Sequence, residues 1–219
     1  MNNTKIEYNK RLHEVEVYFE TLELLDKGNC TIKCVDILEQ ETVKKIDSEL
    51  STILKANGFL LLYNLVESTI RKSLDAILFS IHTSSVTFDS LSEELRKLWI
   101  KQEGKNANTK KIIEIANKIL DKEFLFFEKD CVDISGNIDA QKIREILRQL
   151  GGNEIKDGRY LKEIKDKRNN LAHGDFSFSE IGKDYTVKDL IKYKDETRDY
   201  LLKVLAEIEL YINRKKFLG

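Results

Sequence analysis

Proline is absent from all 219 residues of this sequence. At the average frequency of about five per cent, a chain of this length would contain roughly eleven prolines. Proline removes a backbone donor and interrupts helices, and β-sandwiches and long ordered loops usually contain some. Its absence therefore excludes a proline-rich disordered tail or a collagen-like chain, and argues against an all-β domain. The chain is instead rich in Lys, Glu, Leu and Ile, which favours helices joined by short turns.

The sequence also lacks an excess of charge of either sign, and it has few cysteines. There are 37 Lys and Arg residues against 38 Asp and Glu residues, so any nucleic-acid site must be a local basic patch. The three cysteines are an odd number in a sequence without a secretory signal, which predicts reduced thiols in a cytoplasmic protein. Cys30 and Cys34 have a C-x3-C spacing, but a zinc site needs two more ligands. We therefore expect neither a metal nor a cofactor.

A long apolar run free of charge is missing as well. The longest apolar stretch, residues 59–81, contains Glu67, Arg71, Lys72 and Asp75. Four charges near the middle of a would-be span oppose insertion into a bilayer. The stretch is therefore predicted to be a buried helix of a helical bundle, and no membrane partner is expected.

Apolar residues recur at spacings of three and four along most of the chain, which predicts an all-α bundle. Since repeats and low-complexity linkers are absent, we expect a single domain over residues 1–219. Its predicted parts are an N-terminal helix at 4–27, core helices at about 42–102 and 158–214, and an inserted lobe at about 103–150. Within the lobe, residues 124–134 are aromatic and β-branched, which indicates a short strand or hairpin. The helix that begins near Thr42 is predicted to continue through Gly58, because glycine costs only about 1 kcal/mol inside a helix.

The residues best suited to chemistry lie in the segment 165–175, KDKRNNLAHGD. Leu161, Ile164, Arg168 and Leu171 recur at helical spacing, so Arg168 occupies a position where a packing residue is expected. A guanidinium there is costly unless it is paired or meets an anion. The alternative interpretation is an interface arginine whose charge is satisfied by a carboxylate.

His173 is predicted to end the same helix, with Gly174 as the left-handed residue that closes it. Histidine exchanges protons near neutral pH, although a histidine that only caps the helix is the alternative. Residues five apart point about 140° away from each other in an ideal helix. Either the last turn unwinds at Gly174, or Arg168 and His173 meet across a two-fold pair of helices in a homodimer.

This set of side chains fits cleavage of RNA. The ribose 2′-hydroxyl is a tethered nucleophile, so the reaction needs proton transfer and charge stabilisation and does not require a metal. Histidine can exchange the proton, arginine can bind the phosphate, and Asn169 can orient phosphate or ribose. Arg159, Lys162, Lys165 and Lys167 are expected to bind RNA by making the cleft locally basic. DNA lacks the 2′-hydroxyl and is not expected to be cut.

The string from Arg168 to Gly174, RNNLAHG at a helix end, resembles the R-x4–6-H signature of HEPN-domain ribonucleases, an all-α superfamily. Residues 64–68, 136–140 and 178–180 resemble one prokaryotic HEPN subfamily linked to restriction, toxin–antitoxin and other defence loci. The resemblance covers about residues 42–215. It implies a homodimeric, metal-independent endoribonuclease in which the arginine and the histidine of both protomers line one cleft, with the following asparagine as their polar neighbour.

Some features leave alternatives open. HEPN toxins paired with nucleotidyltransferase antitoxins have a tyrosine two residues after the histidine, where this sequence has Asp175, so that mode of control is in doubt. We expect a separate antitoxin or regulatory chain. The alternatives to a ribonuclease are a non-catalytic HEPN-like module that binds RNA or nucleotide and dimerises within a larger complex, or a plain helical interaction subunit. The intact arginine, asparagine and histidine favour the ribonuclease.

Glu67 is a further candidate on the apolar helix at 59–81. It belongs to a polar stripe at spacings of three and four, whose other members are Asn64, Ser68, Arg71 and Asp75. Such a stripe is either a solvated face of the helix or a surface that faces the cleft. In the second case, Glu67 is expected to pair with Arg168 or to orient His173.

Overall fold

A computed structural model describes residues 1–28, 30–35, 40–134 and 136–219. The helices found in these residues are α1 (Asn2–Asp26), α2 (Ser48–Thr83), α3 (Glu93–Glu103), α4 (Thr109–Leu120), α5 (Ala140–Gln149), α6 (Leu161–His173), α7 (Phe178–Gly182) and α8 (Val187–Asn213). The strands are β1 (Thr31–Val35) and β2 (Glu41–Lys45). The predicted all-α fold is thus confirmed. None of the described helices is long and apolar enough to cross a membrane.

The longest helix among the described residues is α2, and it accounts for most of the helix packing around the site. Its 36 residues correspond to about 54 Å at 1.5 Å per residue, and α1, α6, α7 and α8 all pack against it. The helix passes through Gly58 as predicted. A Cβ at Gly58 would lie 3.3 Å from the Phe19 ring of α1, so the lack of a side chain lets the two helices approach closely.

Buried apolar residues form one hydrophobic cluster that runs from α1 to the end of the chain. Val15 of α1, Phe59 of α2 and Leu201 of α8 all have at most 1% of their surface exposed. The segment predicted as an inserted lobe contributes to the same cluster, for example through Ile143 of α5. The site residues therefore lie on a framework with a shared core.

The structure corrects the prediction that a helix begins near Thr42. Residues 41–45 form β2, which pairs antiparallel with β1. Thr42 and Val43 are β-branched and favour extended backbone. The helix α2 starts only at Ser48, after Asp47, whose side chain accepts a hydrogen bond of 2.8 Å from the N–H of Leu50. All ten residues of the two strands are exposed.

The hairpin is therefore not in the predicted place, residues 124–134. The described residues of that segment contain no strand, because their N–H groups find partners on other elements. Leu125 donates to the carbonyl oxygen of Val86 at 2.9 Å, and Phe127 donates to Nε2 of His82 at 3.1 Å. The aromatic residues thus attach an irregular segment to the end of α2.

Candidate functional site

The helix α6 carries the arginine and the histidine, and it is intact through His173. Gly174 has φ 74° and ψ 17°, and its N–H is directed at the carbonyl oxygens of Asn170 and Leu171. The N–H of Asp175 donates to the same Asn170 oxygen at 3.0 Å. This left-handed closure at Gly174 was predicted from the sequence and is confirmed. The last turn of α6 does not unwind. The predicted alternative in which unwinding at Gly174 brings Arg168 and His173 together within one chain is therefore wrong.

Arg168 is half-buried and is held on three sides. Its guanidinium lies 4.4 Å from the centre of the Tyr63 ring, at the distance of a cation–π contact. Its Nη1 donates to Oδ1 of Asn169 at 2.8 Å, and its Nη2 lies 3.9 Å from Oε2 of Glu67. The guanidinium is therefore positioned by α2 as much as by its own helix.

Glu67 is shared between two guanidinium groups. Arg71, one turn further along α2, donates to Oε1 of Glu67 through Nε at 3.0 Å and through Nη2 at 2.8 Å. Arg168 approaches the other oxygen of the same carboxylate. These three side chains carry two positive charges and one negative charge. One positive charge is thus left to attract an anion.

Asn169 connects this cluster to the loop that precedes α5. Its Nδ2 donates to Oδ1 of Asn137 at 2.8 Å, while its own oxygen accepts from Arg168. Asn169 is four residues before His173, so the two side chains lie on neighbouring positions of one helix face. The polar residue next to the arginine therefore faces the side on which the histidine lies.

Tyr63 was not predicted as a site residue. Its buried hydroxyl donates to the carbonyl oxygen of Gly136 at 2.7 Å and accepts from the N–H of Ile138 at 3.3 Å. Burial raises the pKa of Tyr63 above its ordinary value, which is itself well above neutral, so the hydroxyl keeps its proton and can donate. Sequence spacing places Tyr63 one turn before Glu67 on α2, but it does not show that the Tyr63 ring lies against Arg168.

We predict that Tyr63→Phe lowers stability by about 1–3 kcal/mol, because the N–H of the buried Ile138 and the carbonyl oxygen of the half-buried Gly136 lose this partner. The remaining ring still supports Arg168, so the defect should centre on residues 136–138. Urea unfolding gives the loss of stability, and hydrogen exchange should become faster in the peptide that contains these residues. Tyr18→Phe is the matched control, since it removes another hydroxyl bonded to a backbone carbonyl, that of Leu54. Equal exchange at residues 136–138 in both variants would contradict this role of Tyr63.

His173 stands apart from the cluster formed by Glu67, Arg71, Arg168 and Asn169, which we call the arginine cluster. Its side chain is exposed, and it has no hydrogen bond or ion pair with any described residue. On the intact helix it points about 140° away from Arg168. One chain therefore brings Arg168, Asn169 and Glu67 together but leaves His173 facing solvent.

Of the four residues predicted to bind RNA, Lys165 is the most fully occupied. Its Nζ donates to Oδ2 of Asp139 at 2.7 Å, while Oδ1 of Asp139 accepts from the N–H of Lys142 and so caps α5. Burial alone would raise the pKa of Asp139, but the bonds from Lys165 and Lys142 outweigh it and lower that pKa. The bond to Asp139 in turn raises the pKa of Lys165. Lys165 thus joins α6 to α5.

The other three predicted basic residues differ in how free they are. Arg159 is held by Glu196 through two bonds of 2.9 and 2.8 Å. Lys167 is half-buried, with Nζ 5.5 Å from the centre of the Tyr185 ring. Lys162 is exposed, and it shares a helix face with His173. Fewer of the predicted basic residues are therefore free to bind RNA than the sequence suggests.

Among the residues that the structure describes, metal-ligating side chains do not gather near this site. Within the described ranges, no group of three or more His, Cys, Asp or Glu residues could hold a metal ion. Cys34 is exposed and Cys131 is buried, and burial raises the pKa of Cys131 to about 11. The groups gathered around Arg168 are the Glu67 carboxylate, the Asn169 amide and the Tyr63 ring.

Comparison with known families identifies the chain. The family model described as MAE_28990-like HEPN matches residues 4–217, which is nearly the whole sequence. No match was found among curated proteins or among solved structures. The helical fold and the match over the length of the chain together place this protein in the MAE_28990-like HEPN family.

Proposed function

We propose that this protein is a metal-independent endoribonuclease that cleaves RNA by attack of the 2′-hydroxyl on the adjacent phosphate. HEPN domains are typically ribonucleases or nucleotide-binding modules. The observation that carries the proposal is the sharing of Glu67 by Arg71 and Arg168, which leaves one positive charge beside the Asn169 amide. This is the arrangement that an incoming phosphate needs.

In this proposal, Arg168 binds the non-bridging phosphate oxygens as negative charge builds up on them. Its guanidinium is already fixed by Tyr63, Asn169 and Glu67, so little reorganisation is needed when substrate arrives. Asn169 orients the phosphate or the ribose from the same side. Glu67 positions Arg168 and does not itself touch the reacting atoms.

His173 acts as the general acid or base. It takes the proton of the 2′-hydroxyl, or gives a proton to the leaving 5′-oxygen, as the bond between phosphorus and that oxygen breaks. Because His173 faces away from Arg168 on its own helix, the proposal includes a homodimer in which His173 of one protomer works with Arg168 of the other. The RNA then lies in one cleft between two α6 helices, with Lys162 and Lys167 along its path.

The proposed biological role follows from the subfamily that the sequence resembles. A ribonuclease of this kind would be a toxin or an effector of antiphage defence, acting in the cytoplasm and restrained by a separate antitoxin or regulatory chain. The alternative is a non-catalytic dimerisation module that binds RNA or nucleotide. One observation favours it, namely that His173 points away from Arg168 on the same helix. The two functions differ in whether a phosphodiester bond is broken.

We expect the purified protein to cut a labelled single-stranded RNA in the presence of EDTA. The products should end in a 2′,3′-cyclic phosphate and a 5′-hydroxyl, since the 2′-oxygen replaces the 5′-oxygen on phosphorus. Mass spectrometry of the fragments identifies both ends. The same RNA with a single 2′-deoxy residue at the cleaved position should resist cleavage there.

A matched preparation of His173→Ala separates this activity from that of a contaminating nuclease. Cleavage that requires a divalent metal, or that proceeds equally at the 2′-deoxy position, would overturn the proposed chemistry. Binding of RNA without any cleavage would support the non-catalytic alternative.

A further inference from the structure

A small pocket lies between the end of α6 and the short helix α7, beside the candidate catalytic histidine. Its volume is about 180 Å³, and Lys167, Asn170, Phe176, Ile181 and Asp184 are among the residues that line it. None of these residues except Lys167 has a role in the function proposed above. The pocket is therefore a feature of this region to which the proposed function gives no role.

The position of the pocket relates it directly to His173. Asn170 lies one turn before His173 on α6, so their side chains are neighbours along the helix. Phe176 follows His173 by three residues, just after the left-handed turn at Gly174. A molecule in the pocket would thus contact residues three positions before and three positions after His173, although His173 itself does not line the pocket.

Two sides of the pocket suit a flat apolar ring. Phe176 is 50% exposed, whereas Ile181 is buried with 2% of its surface accessible. The first offers a free aromatic face and the second an aliphatic wall. Apolar cavities of about 150 Å³ are known to hold a single benzene ring, so this pocket has room for one planar ring.

The polar side chains at the pocket can recognise the edge of such a ring. The Asn170 amide has no hydrogen-bond partner among the described residues, so it is available to donate and to accept. Asp184 offers a carboxylate that only accepts. Glu180 also lines the pocket, but its carboxylate is already bound by the N–H and hydroxyl of Ser177, both at 2.8 Å. Lys167 supplies the positive charge for a phosphate.

We propose that this pocket binds the base of a nucleotide adjoining the cleaved phosphate, and that it selects a base with an exocyclic amino group. This rests on the proposed function, since it places RNA at His173. Phe176 stacks on the base, as aromatic side chains do with unpaired RNA bases. Asp184 accepts from the amino group, Asn170 bonds to the same edge, and Lys167 contacts the phosphate. Uracil, which has no amino group, is disfavoured.

The test uses the full chain and a labelled single-stranded 2′-O-methyl oligonucleotide, which cannot be cleaved by 2′-hydroxyl attack. Fluorescence anisotropy is expected to show binding about tenfold weaker for Phe176→Ala, the loss of one stacked base. Phe79→Ala is the matched control, because Phe79 is 70% exposed and lies at the far end of α2, and its affinity should change less than about twofold. Oligonucleotides with one abasic residue at successive positions then locate the base.

At one position, the abasic residue should remove the difference between wild type and Phe176→Ala. Uracil there should bind more weakly than adenine, cytosine or guanine, and Asp184→Ala should abolish that preference. Equal affinities of the Phe176→Ala and Phe79→Ala proteins would overturn the proposal, as would a tenfold effect that no abasic position removes, or a wild-type chain that does not bind. Because this probe needs no catalysis, a chain that binds it as described but never cuts RNA overturns the proposed function alone.

Discussion

Replacement of His173 by alanine is expected to slow RNA cleavage about 10²- to 10⁴-fold, the usual contribution of a general acid or base. The fold should be unaffected, because the imidazole is exposed and makes no hydrogen bond with any described residue. Initial rates on a labelled RNA measure the loss, and thermal unfolding followed by circular dichroism checks the fold. His13→Ala, which changes an exposed histidine of α1, is the control and should retain full activity. A His173→Ala protein as active as this control would contradict the mechanism.

Variants of Arg168 complete this prediction. Arg168→Lys keeps the positive charge but loses the planar fork that stacks on Tyr63 and reaches Asn169, so it should lose nearly as much activity as Arg168→Ala. If the site is shared between protomers, mixing inactive Arg168→Ala and His173→Ala proteins creates dimers with one intact Arg168–His173 pair. Half of the dimers in an equal mixture are mixed, and each has one of its two pairs intact, so about a quarter of wild-type activity should return. A mixture that stays inactive would contradict a site composed of both protomers.

Gly182→Ala is expected to destabilise the fold by about 3 kcal/mol or more, at the upper end of what overpacking costs. A Cβ at Gly182 would overlap the backbone carbonyl oxygen of Thr52 on α2, which cannot rotate away as a side chain would. Alanine favours the helical state over glycine by only about 1 kcal/mol, so the clash decides the sign. The melting temperature should fall by roughly 6–12 °C in a chain of this size.

Gly28→Ala is the matched control for this experiment. A Cβ at Gly28 would have no heavy atom within 4 Å, so its melting temperature should stay close to that of the wild type. Equal melting temperatures for the two variants would show that α7 and α2 are not in close contact in solution. The helix α7 also closes the pocket beside His173. A large fall in the melting temperature of Gly182→Ala would therefore show that the contact between α7 and α2 stabilises that end of the molecule.

Local features of the site could be read from the sequence, whereas contacts distant in sequence could not. The end of α6 was predictable because Gly174 acts on its own helix through φ and a few nearby bonds. The unusual position of Arg168 was visible from spacing alone. Its neighbour Tyr63 was not, because that contact depends on how α2 and α6 cross, and periodicity does not encode a crossing. The same limit applies to Lys165, whose partner Asp139 lies on the capping turn of another helix.

Two predictions of secondary structure were wrong, the helix from near Thr42 and the hairpin at 124–134, and they have a common physical reason. Residues 41–45 contain the β-branched Thr42 and Val43, and residues 124–134 contain both β-branched and aromatic residues, so local preference favours extended backbone in each. In the first, two strands adjacent in sequence pair with each other. In the second, the N–H groups of Leu125 and Phe127 are taken by groups near the end of α2. Tertiary partners, not composition, determined which segment became a hairpin.

The continuity of α2 also limits which changes in length the chain can accept. Along this one helix, Thr52 lies against α7, Glu67 faces Arg168, and His82 accepts from Phe127. A single residue inserted between Arg71 and His82 would rotate everything beyond it by about 100° and displace it by about 1.5 Å. Residues 124–134 would then lose their hydrogen bonds to groups near the end of α2, while the arginine cluster stayed in place. Natural variation in the length of this protein should therefore fall in its turns and in the exposed hairpin, and α2 should keep a constant number of residues between these contacts.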